Sequence, residues 1–148
     1  MSTTLNKLIA EFAKKYGMPD LEQTPEGHFE WYVDANPVRF FESAGKIYVA
    51  AQVRKLPDEK RERGECVRTA LKAALANADS HRESLYIDVN QDALCLYRCM
   101  ASKELSLFDF EKLLESFMHA LDCMTEITGA IGGYARRDIP VLAPHTRF

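Results

Sequence analysis

The residues of this 148-residue chain that could do chemistry are its four cysteines and four histidines. They are Cys66, Cys95, Cys99 and Cys123, and His28, His81, His119 and His145. Cys95 and Cys99 fall on the same side of a strand if residues 93–100 are extended, because side chains alternate along a strand. A zinc site usually needs four close ligands, however, and no second Cys or His pair stands at a suitable spacing. We therefore predict no metal site, and free thiols in a reducing compartment.

A catalytic site would need a nucleophile, a base and an orienting group that converge, and the sequence offers no such set. None of the histidines stands in a recognisable motif, and His119 falls beside the apolar stripe of a predicted helix. Asp88 and Asp92 flank a turn, and nothing indicates that they share a cleft for general acid–base chemistry. The glycine-rich run at 129–133 follows a helix and lacks the Lys-Ser/Thr ending of a phosphate loop. We predict that the chain is not an enzyme; a small enzyme with a cysteine nucleophile is the weakest alternative.

Charge and hydropathy limit the kind of partner. The net charge is −3, and the densest charge run, at 54–65, mixes both signs, whereas nucleic-acid binding depends on clustered Lys and Arg. No apolar run approaches the roughly 20 residues that span a bilayer. Charged residues interrupt the apolar ones near the N-terminus, unlike in a secretory signal. We expect a cytosolic protein that binds no nucleic acid and does not insert into a membrane.

Hydrophobic periodicity predicts the elements that would position a site. Apolar residues from Leu5 to Tyr16 recur at helical spacing, and three short alternating segments follow as an antiparallel meander. An alanine-rich helix, a strand pair around the turn at 90–92, and a helix that Ser106 and Asp109 can cap complete the order. The predicted elements are a helix at 5–16, strands at 28–34, 38–43 and 46–56, a helix at 59–78, strands at 84–90 and 93–100, and a helix from 106 that ends at Gly129.

The order α-β-β-β-α-β-β-α predicts an α+β fold in which a twisted antiparallel sheet is packed by helices. We expect a single domain over 1–128 and a loosely ordered C-terminal tail over 129–148, because the tail is rich in glycine and proline and has no period. Tyr32 and Tyr48 fall on the strand face opposite the predicted core. There they suit either core filling or a protein-binding surface.

Four stretches of the sequence together resemble a known family. They are "LP" at 56–57, which ends the meander, "ALKAALANA" at 70–78, "SLYIDVNQDALCLYRCM" at 84–100 and "DFEKLLESFMHALDCM" at 109–124. In this order they resemble the class I type III secretion chaperones, the Tir chaperone (CesT) family, over about residues 3–128. Each stretch is degenerate, so the resemblance rests on the order of the whole.

The resemblance implies a homodimer that binds an extended, non-globular segment near the N-terminus of a secreted effector. It implies that the effector stays soluble and competent for export in the bacterial cytoplasm, with no nucleotide or other cofactor. It adds the ATPase of the export apparatus as a candidate partner. The implied effector contacts are Ile9, Phe12, Val38, Phe40, Phe41 and Tyr48. The implied dimer contacts are Ala70, Ala73, Ala74, Asn77, Leu94 and Leu96. The alternative is a regulatory or structural interaction domain of the same fold that handles no secretion substrate.

Overall fold

The structure, a computed structural model, describes residues 4–19, 21–33, 36–103 and 105–129. Its elements are α1 (Thr4–Lys15), β1 (Phe29–Val33), β2 (Asn36–Ser43), β3 (Lys46–Lys55), α2 (Lys60–Ala76), β4 (Ser84–Asp88), β5 (Ala93–Ala101) and α3 (Leu107–Gly129). The predicted order of elements and the α+β class are confirmed. Of the predicted tail at 129–148, Gly129 is the last residue of α3, and the remainder lies outside the described residues.

Local signals in the sequence fix the ends of the helices. The predicted capping box of α3 forms, since the Asp109 N–H donates to Ser106 Oγ at 3.1 Å and the Ser106 N–H donates to Asp109 Oδ2 at 3.4 Å. At the start of α2 the Glu59 carboxylate accepts a hydrogen bond from the Glu62 N–H. Beyond the end of α1, Gly17 adopts a φ of +65°, which suits glycine. The helix boundaries therefore follow from capping residues that can be read in the sequence.

One antiparallel sheet contains all five strands in the order β1-β2-β3-β5-β4. β5 lies between β3 and β4 because the chain leaves β3 through α2, forms β4 at the edge and returns through a hairpin. β1 and β4 are therefore the two edge strands. Ala44 and Gly45 have positive φ values of 52° and 76°, which give the β2–β3 hairpin its tight turn. The first three strands form the predicted meander.

One face of the sheet packs under the helices, and we call it the covered face. α3 packs on β3 and β5 and contacts both α1 and α2. The ring centroid of Phe110 in α3 lies 6.0 Å from that of Phe12 in α1 and 5.8 Å from that of Phe40 in β2. The N–H of Leu5 donates to the Glu42 carboxylate of β2 at 2.9 Å, which holds the start of α1 on the sheet. The hydrophobic core therefore lies between this face and the helices.

The largest fully buried side chains of this core come from α1, α3 and the three central strands. They are Phe12, Phe40, Phe110, Phe117, Leu5, Ile47, Leu94, Leu96, Leu113, Leu114, Met118 and Leu121. Within the described ranges, none of the helices has the length and apolar content that spanning a bilayer requires.

Candidate functional site

The face of the sheet opposite the helices, here called the open face, has none of the described helices packed on it. Its composition follows from strand alternation. Phe41 and Tyr48 are directly opposite each other on β2 and β3, next to the core pair Phe40 and Val49, which faces the helices. Tyr32 of β1 lies on the same side as Phe41 and Tyr48. The prediction that Tyr32 and Tyr48 lie opposite the core is therefore confirmed.

Five rings form a continuous row on the open face, here called the aromatic band: His28, Phe41, Tyr48, Tyr97 and Tyr86. His28 and Phe41 stack with centroids 4.7 Å apart, and Phe41 and Tyr48 stack at 4.9 Å with an interplanar angle of 9°. Tyr97 lies 6.5 Å from Tyr48 and 5.7 Å from Tyr86, in tilted and edge-to-face geometry. These arrangements are favourable for aromatic pairs. The band runs from the segment before β1 across the sheet to edge strand β4 and forms one preassembled surface.

A hydrogen bond between two long side chains crosses the centre of the open face. Arg39 Nη2 of β2 donates to Tyr86 Oη of β4 at 3.3 Å. In the register, Ala50 is opposite Arg39 and Cys95 is opposite Tyr86. These two small residues are only 3% exposed, because the Arg39 and Tyr86 side chains extend over them. Burial raises the pKa of the Tyr86 hydroxyl, so the phenol stays protonated at neutral pH.

The structure divides the six predicted effector contacts between the open face and the core. Phe41 and Tyr48 are half-buried members of the aromatic band. The other four are Ile9, Phe12, Val38 and Phe40. All four are 3% exposed or less, at the covered face. Because these four side chains are packed in the core between the sheet and the helices, they cannot contact a partner directly in this conformation. The binding role of Phe41 and Tyr48 stays a prediction.

The structure divides the predicted dimer contacts between the core and the surface of α2. Three of them are fully buried in the core: Ala70, Leu94 and Leu96. Ala73 and Ala74 pack half-buried against that core. Asn77 is exposed, but its Nδ2 donates to the Ala73 carbonyl at 2.8 Å, within the end of its own helix. Burial thus removes the first three from any direct side-chain contact with a second subunit in this conformation.

Four exposed apolar side chains lie on α2 and at the end of β4, and we call them the α2–β4 patch: Leu71, Leu75, Ile87 and Val89. Leu75 is 77% exposed and Val89 is 81% exposed. Leu71 and Leu75 share one face of α2 because they are four residues apart, and α2 contacts β4. Burying a side chain of this size stabilises by about 1.5–3 kcal/mol relative to full exposure. The patch is therefore a second candidate interaction surface.

Three of the four cysteines have environments that suppress thiol reactivity, and the fourth lies at the surface. Burial raises the pKa of the Cys66, Cys95 and Cys123 thiols, which lowers the fraction of reactive thiolate. Cys99 is exposed, and in the register it lies opposite Tyr48 on the open face. All four cysteines are free. The thiols thus do not indicate a nucleophilic site.

The histidines show one contact that the sequence did not indicate. The rings of His81 and His119 come within 5.7 Å of each other, although 38 positions separate them in the chain. Over the described ranges, no three or more metal-ligating side chains form a group that could hold an ion. The candidate site is therefore the open face.

Sequence reasoning missed four residues of the open face. They are His28, Arg39, Tyr86 and Tyr97. Alternation places Tyr86 opposite Leu85, and that signal could have been used. The meeting of Tyr86 with Arg39 depends on β5 lying between β3 and β4, which alternation does not reveal.

The chain thus forms an α+β layer in which one sheet face is covered by helices and the other carries the aromatic band. Residues 7–122 match the model of the Tir chaperone protein (CesT) family, and the chain belongs to that family. Its function is therefore that of a type III secretion chaperone, which binds effectors. A comparison with curated proteins finds no match.

Solved structures of low sequence identity share the fold. A chain of the ExsC–ExsE complex is similar with a TM-score of 0.69 and 20% identity, over 86% of this chain and 96% of its own length. A chain of the HopA1–SchA chaperone–effector complex has a TM-score of 0.64 and 14% identity, over 83% and 94%. A chain of the ExoU–SpcU complex from the type III secretion system of Pseudomonas aeruginosa has a TM-score of 0.60 and 8% identity, over 83% and 96%. These matches establish the fold.

Proposed function

We propose that this type III secretion chaperone holds an extended segment near the N-terminus of a secreted effector against its open face. The observation that carries the proposal is the aromatic band, a row of five rings that no described helix covers. A disordered segment loses conformational entropy when it is held, so its binding requires a large, partly apolar surface. Stacked rings supply such a surface with little further loss of side-chain freedom.

The edge strands offer the same segment a second kind of contact. Within the described residues, no strand pairs with the outer side of β4, and the outer side of β1 has only an isolated bridge between Gln23 and Phe29. An extended segment can add to such an edge through backbone hydrogen bonds, while its alternate side chains enter neighbouring pockets. The band ends at β4 on Tyr86 and begins beside β1 at His28. A segment that leaves either edge can therefore continue onto the rings.

The proposal includes a homodimer formed through the α2–β4 patch, because exposed Leu75 and Val89 gain from burial against a second copy. The half-buried Ala73 and Ala74 would then lie at the rim of that contact. The protein would act by binding, without turnover or cofactor, in the bacterial cytoplasm. Contact with the ATPase of the export apparatus is a further part of the proposal and rests on the family resemblance.

Coexpression of the full chain with candidate secreted proteins, followed by pulldown and limited proteolysis, tests the proposal. We expect one protease-protected segment near the N-terminus of the copurified protein. Tyr48→Asp should abolish copurification, because it places a charge in the centre of the aromatic band. Tyr32→Asp is the matched control, since Tyr32 is 65% exposed on the same face but outside the band, and it should leave copurification intact.

Two results would contradict the proposal in different ways. Copurification that survives Tyr48→Asp would exclude the open face as the binding site. A folded partner in which no segment becomes protected would favour the regulatory interaction domain, which the family match disfavours.

A further inference from the structure

Arg39 lies near the centre of the open face and has no carboxylate partner among the described residues. The residue is half-buried, and its guanidinium donates a hydrogen bond to the neutral hydroxyl of Tyr86. Among the described residues, no carboxylate lies within 4.0 Å of it. Two other half-buried arginines pair with carboxylates, Arg98 with Glu83 and Arg63 with Asp92, and a third, Arg54, donates to the backbone carbonyls of Lys55 and Thr128. Arg39 is thus a partly desolvated cation that still has donors to offer.

The nearest acidic residue in the register does not neutralise this charge. Glu30 of β1 is directly opposite Arg39 of β2, yet their charged groups do not form an ion pair. The reason is the hydrogen bond to Tyr86, which lies three strands away on the other side of Arg39. That bond draws the guanidinium over β3 and away from β1. Arg39 is therefore held along the sheet, beside the aromatic band, and contacts Tyr86 at the end of that band.

A guanidinium held in this way is suited to a carboxylate. It carries five N–H donors in a planar fork, and Tyr86 uses one of them. A carboxylate can accept two parallel hydrogen bonds from the remaining donors, and such charge-assisted pairs are stronger than neutral ones. The partial burial of Arg39 lowers the local dielectric, which strengthens the pair further. Lys46 and Lys55, two lysines on this face, are exposed at the two ends of β3 and have no comparable setting.

We propose that the bound effector segment carries an aspartate or glutamate between apolar residues, and that its carboxylate pairs with Arg39 while the apolar side chains lie on the aromatic band. This inference rests on the proposed function. It makes Arg39 the residue that selects among apolar segments, because a segment without an acid would leave the half-buried cation unpaired.

Selection from a displayed library of random 16-residue peptides, panned against the full chain, tests the inference. We expect peptides selected by the wild type to be enriched in Asp or Glu flanked by apolar residues. Peptides selected by Arg39→Glu should carry Lys or Arg at that place. Lys46→Glu is the matched control, since it reverses a charge on the same face outside the band, and it should leave the acidic preference unchanged.

The strongest wild-type peptide then serves as the probe in a charge exchange measured by fluorescence anisotropy. Arg39→Glu, or replacement of the peptide acid by lysine, should each weaken binding about tenfold or more. The two changes together should restore much of the affinity. If the charge reversal disturbs the sheet, Arg39→Gln removes the charge in its place, and thermal unfolding checks that this variant is folded. Tyr86→Phe keeps the ring but frees the guanidinium, and should weaken binding by a smaller factor.

The outcomes separate this inference from the function on which it rests. Peptides that Tyr48→Asp no longer binds, but that show no acidic preference and no rescue on charge exchange, would overturn the role of Arg39 and leave the open face as the site. Failure to select any peptide, or selected peptides that bind Tyr48→Asp as well as the wild type, would overturn both.

Discussion

The same strands form both faces of the sheet, but the two faces differ in what covers them. On the covered face, Phe40 meets Phe12 and Phe110 and is closed off from solvent. On the open face, the next residue along β2, Phe41, stacks between His28 and a tyrosine and stays half-buried. Both faces are rich in rings, so apolar content does not distinguish them. The difference is that helices of the same chain cover one face, whereas the other keeps polar groups and partial exposure, which our proposal assigns to a bound effector.

The largest difference in stability should appear between two single variants, in which either Phe40 or the adjacent Phe41 is replaced by alanine. Phe40→Ala opens a cavity in the covered core and should lower the free energy of unfolding by about 3–5 kcal/mol. Phe41→Ala opens no enclosed cavity, so it should cost about 1 kcal/mol and weaken effector binding instead. Urea unfolding followed by the fluorescence of Trp31 measures both. Equal losses of stability would show that Phe41 on the open face contributes as much to folding as Phe40 on the covered face.

The ion pair between Glu83 and Arg98 tests whether the covered face depends on charge as well as on packing. The Glu83 side chain is 1% exposed, its Oε2 lies 3.2 Å from Arg98 Nη1, and the same guanidinium nitrogen donates to Ser116 Oγ at 3.1 Å. Glu83→Ala should destabilise by about 3 kcal/mol, because it leaves a largely buried cation unpaired.

Two further variants isolate the role of this pair. Arg98→Met added to Glu83→Ala should recover much of the loss, since no buried charge then remains. Glu115→Ala, at an exposed position of α3, should change stability by less than about 0.5 kcal/mol. If Glu83→Ala costs no more than this control in thermal unfolding, the pair does not stabilise the covered face.

The α2–β4 patch allows a test of the proposed homodimer, because it is exposed apolar surface outside both the core and the aromatic band. Leu75→Glu should raise the dissociation constant of the proposed homodimer by about thirtyfold, or about 2 kcal/mol. Lys72→Glu places the same charge on α2 at an exposed position outside the patch and should have little effect. Sedimentation equilibrium measures the constants. A wild-type chain that stays monomeric at tens of micromolar would contradict the dimer itself.

The smallest effect is expected at the rim of the sheet, where Arg63 of α2 pairs with Asp92 of the β4–β5 hairpin. The hydrogen bond from Arg63 lowers the pKa of the Asp92 carboxyl. A carboxyl whose pKa is lower in the folded state than in the unfolded state stabilises the fold at pH values above the unfolded pKa. This stabilisation is lost as the pH falls through the pKa of the folded state. The pair should therefore stabilise slightly at neutral pH and not in strong acid.

Asp92→Asn isolates this charge, because asparagine tolerates the positive φ of 53° at this position. Wild type and variant should differ in thermal midpoint at pH 7, and the difference should disappear as the acid range is entered. A difference that persists unchanged in acid would assign the effect to backbone geometry. Both side chains are more than a third exposed, so solvent screening keeps the effect small.

Much of the fold could be read from the sequence because its signals are local. Ser106 and Asp109 stand three residues apart and cap α3 as predicted. The helical spacing of Leu5, Leu8 and Phe12 predicted the buried side of α1, and those residues are buried. Such signals need no knowledge of which strands are neighbours.

The candidate site was harder to read because it depends on sheet order. Phe40 and Phe41 are adjacent residues of the same type on opposite sides of β2, so residue type did not separate the core residue Phe40 from the open-face residue Phe41. Arg39 and Tyr86 are 47 positions apart and meet only because β5 lies between β3 and β4. Alternation assigns a residue to a face, but the neighbours that it finds there depend on the register of distant strands.

The exposed thiol of Cys99 has a practical consequence. It lies opposite Tyr48, at the middle of the aromatic band, whereas Cys66 and Cys95 are buried. In a Cys123→Ser background, a maleimide dye would therefore attach chiefly at Cys99. Its emission would change when a segment covers the neighbouring rings. The chain thus carries its own attachment point for an optical sensor, through which loading and release of an effector could be timed in solution.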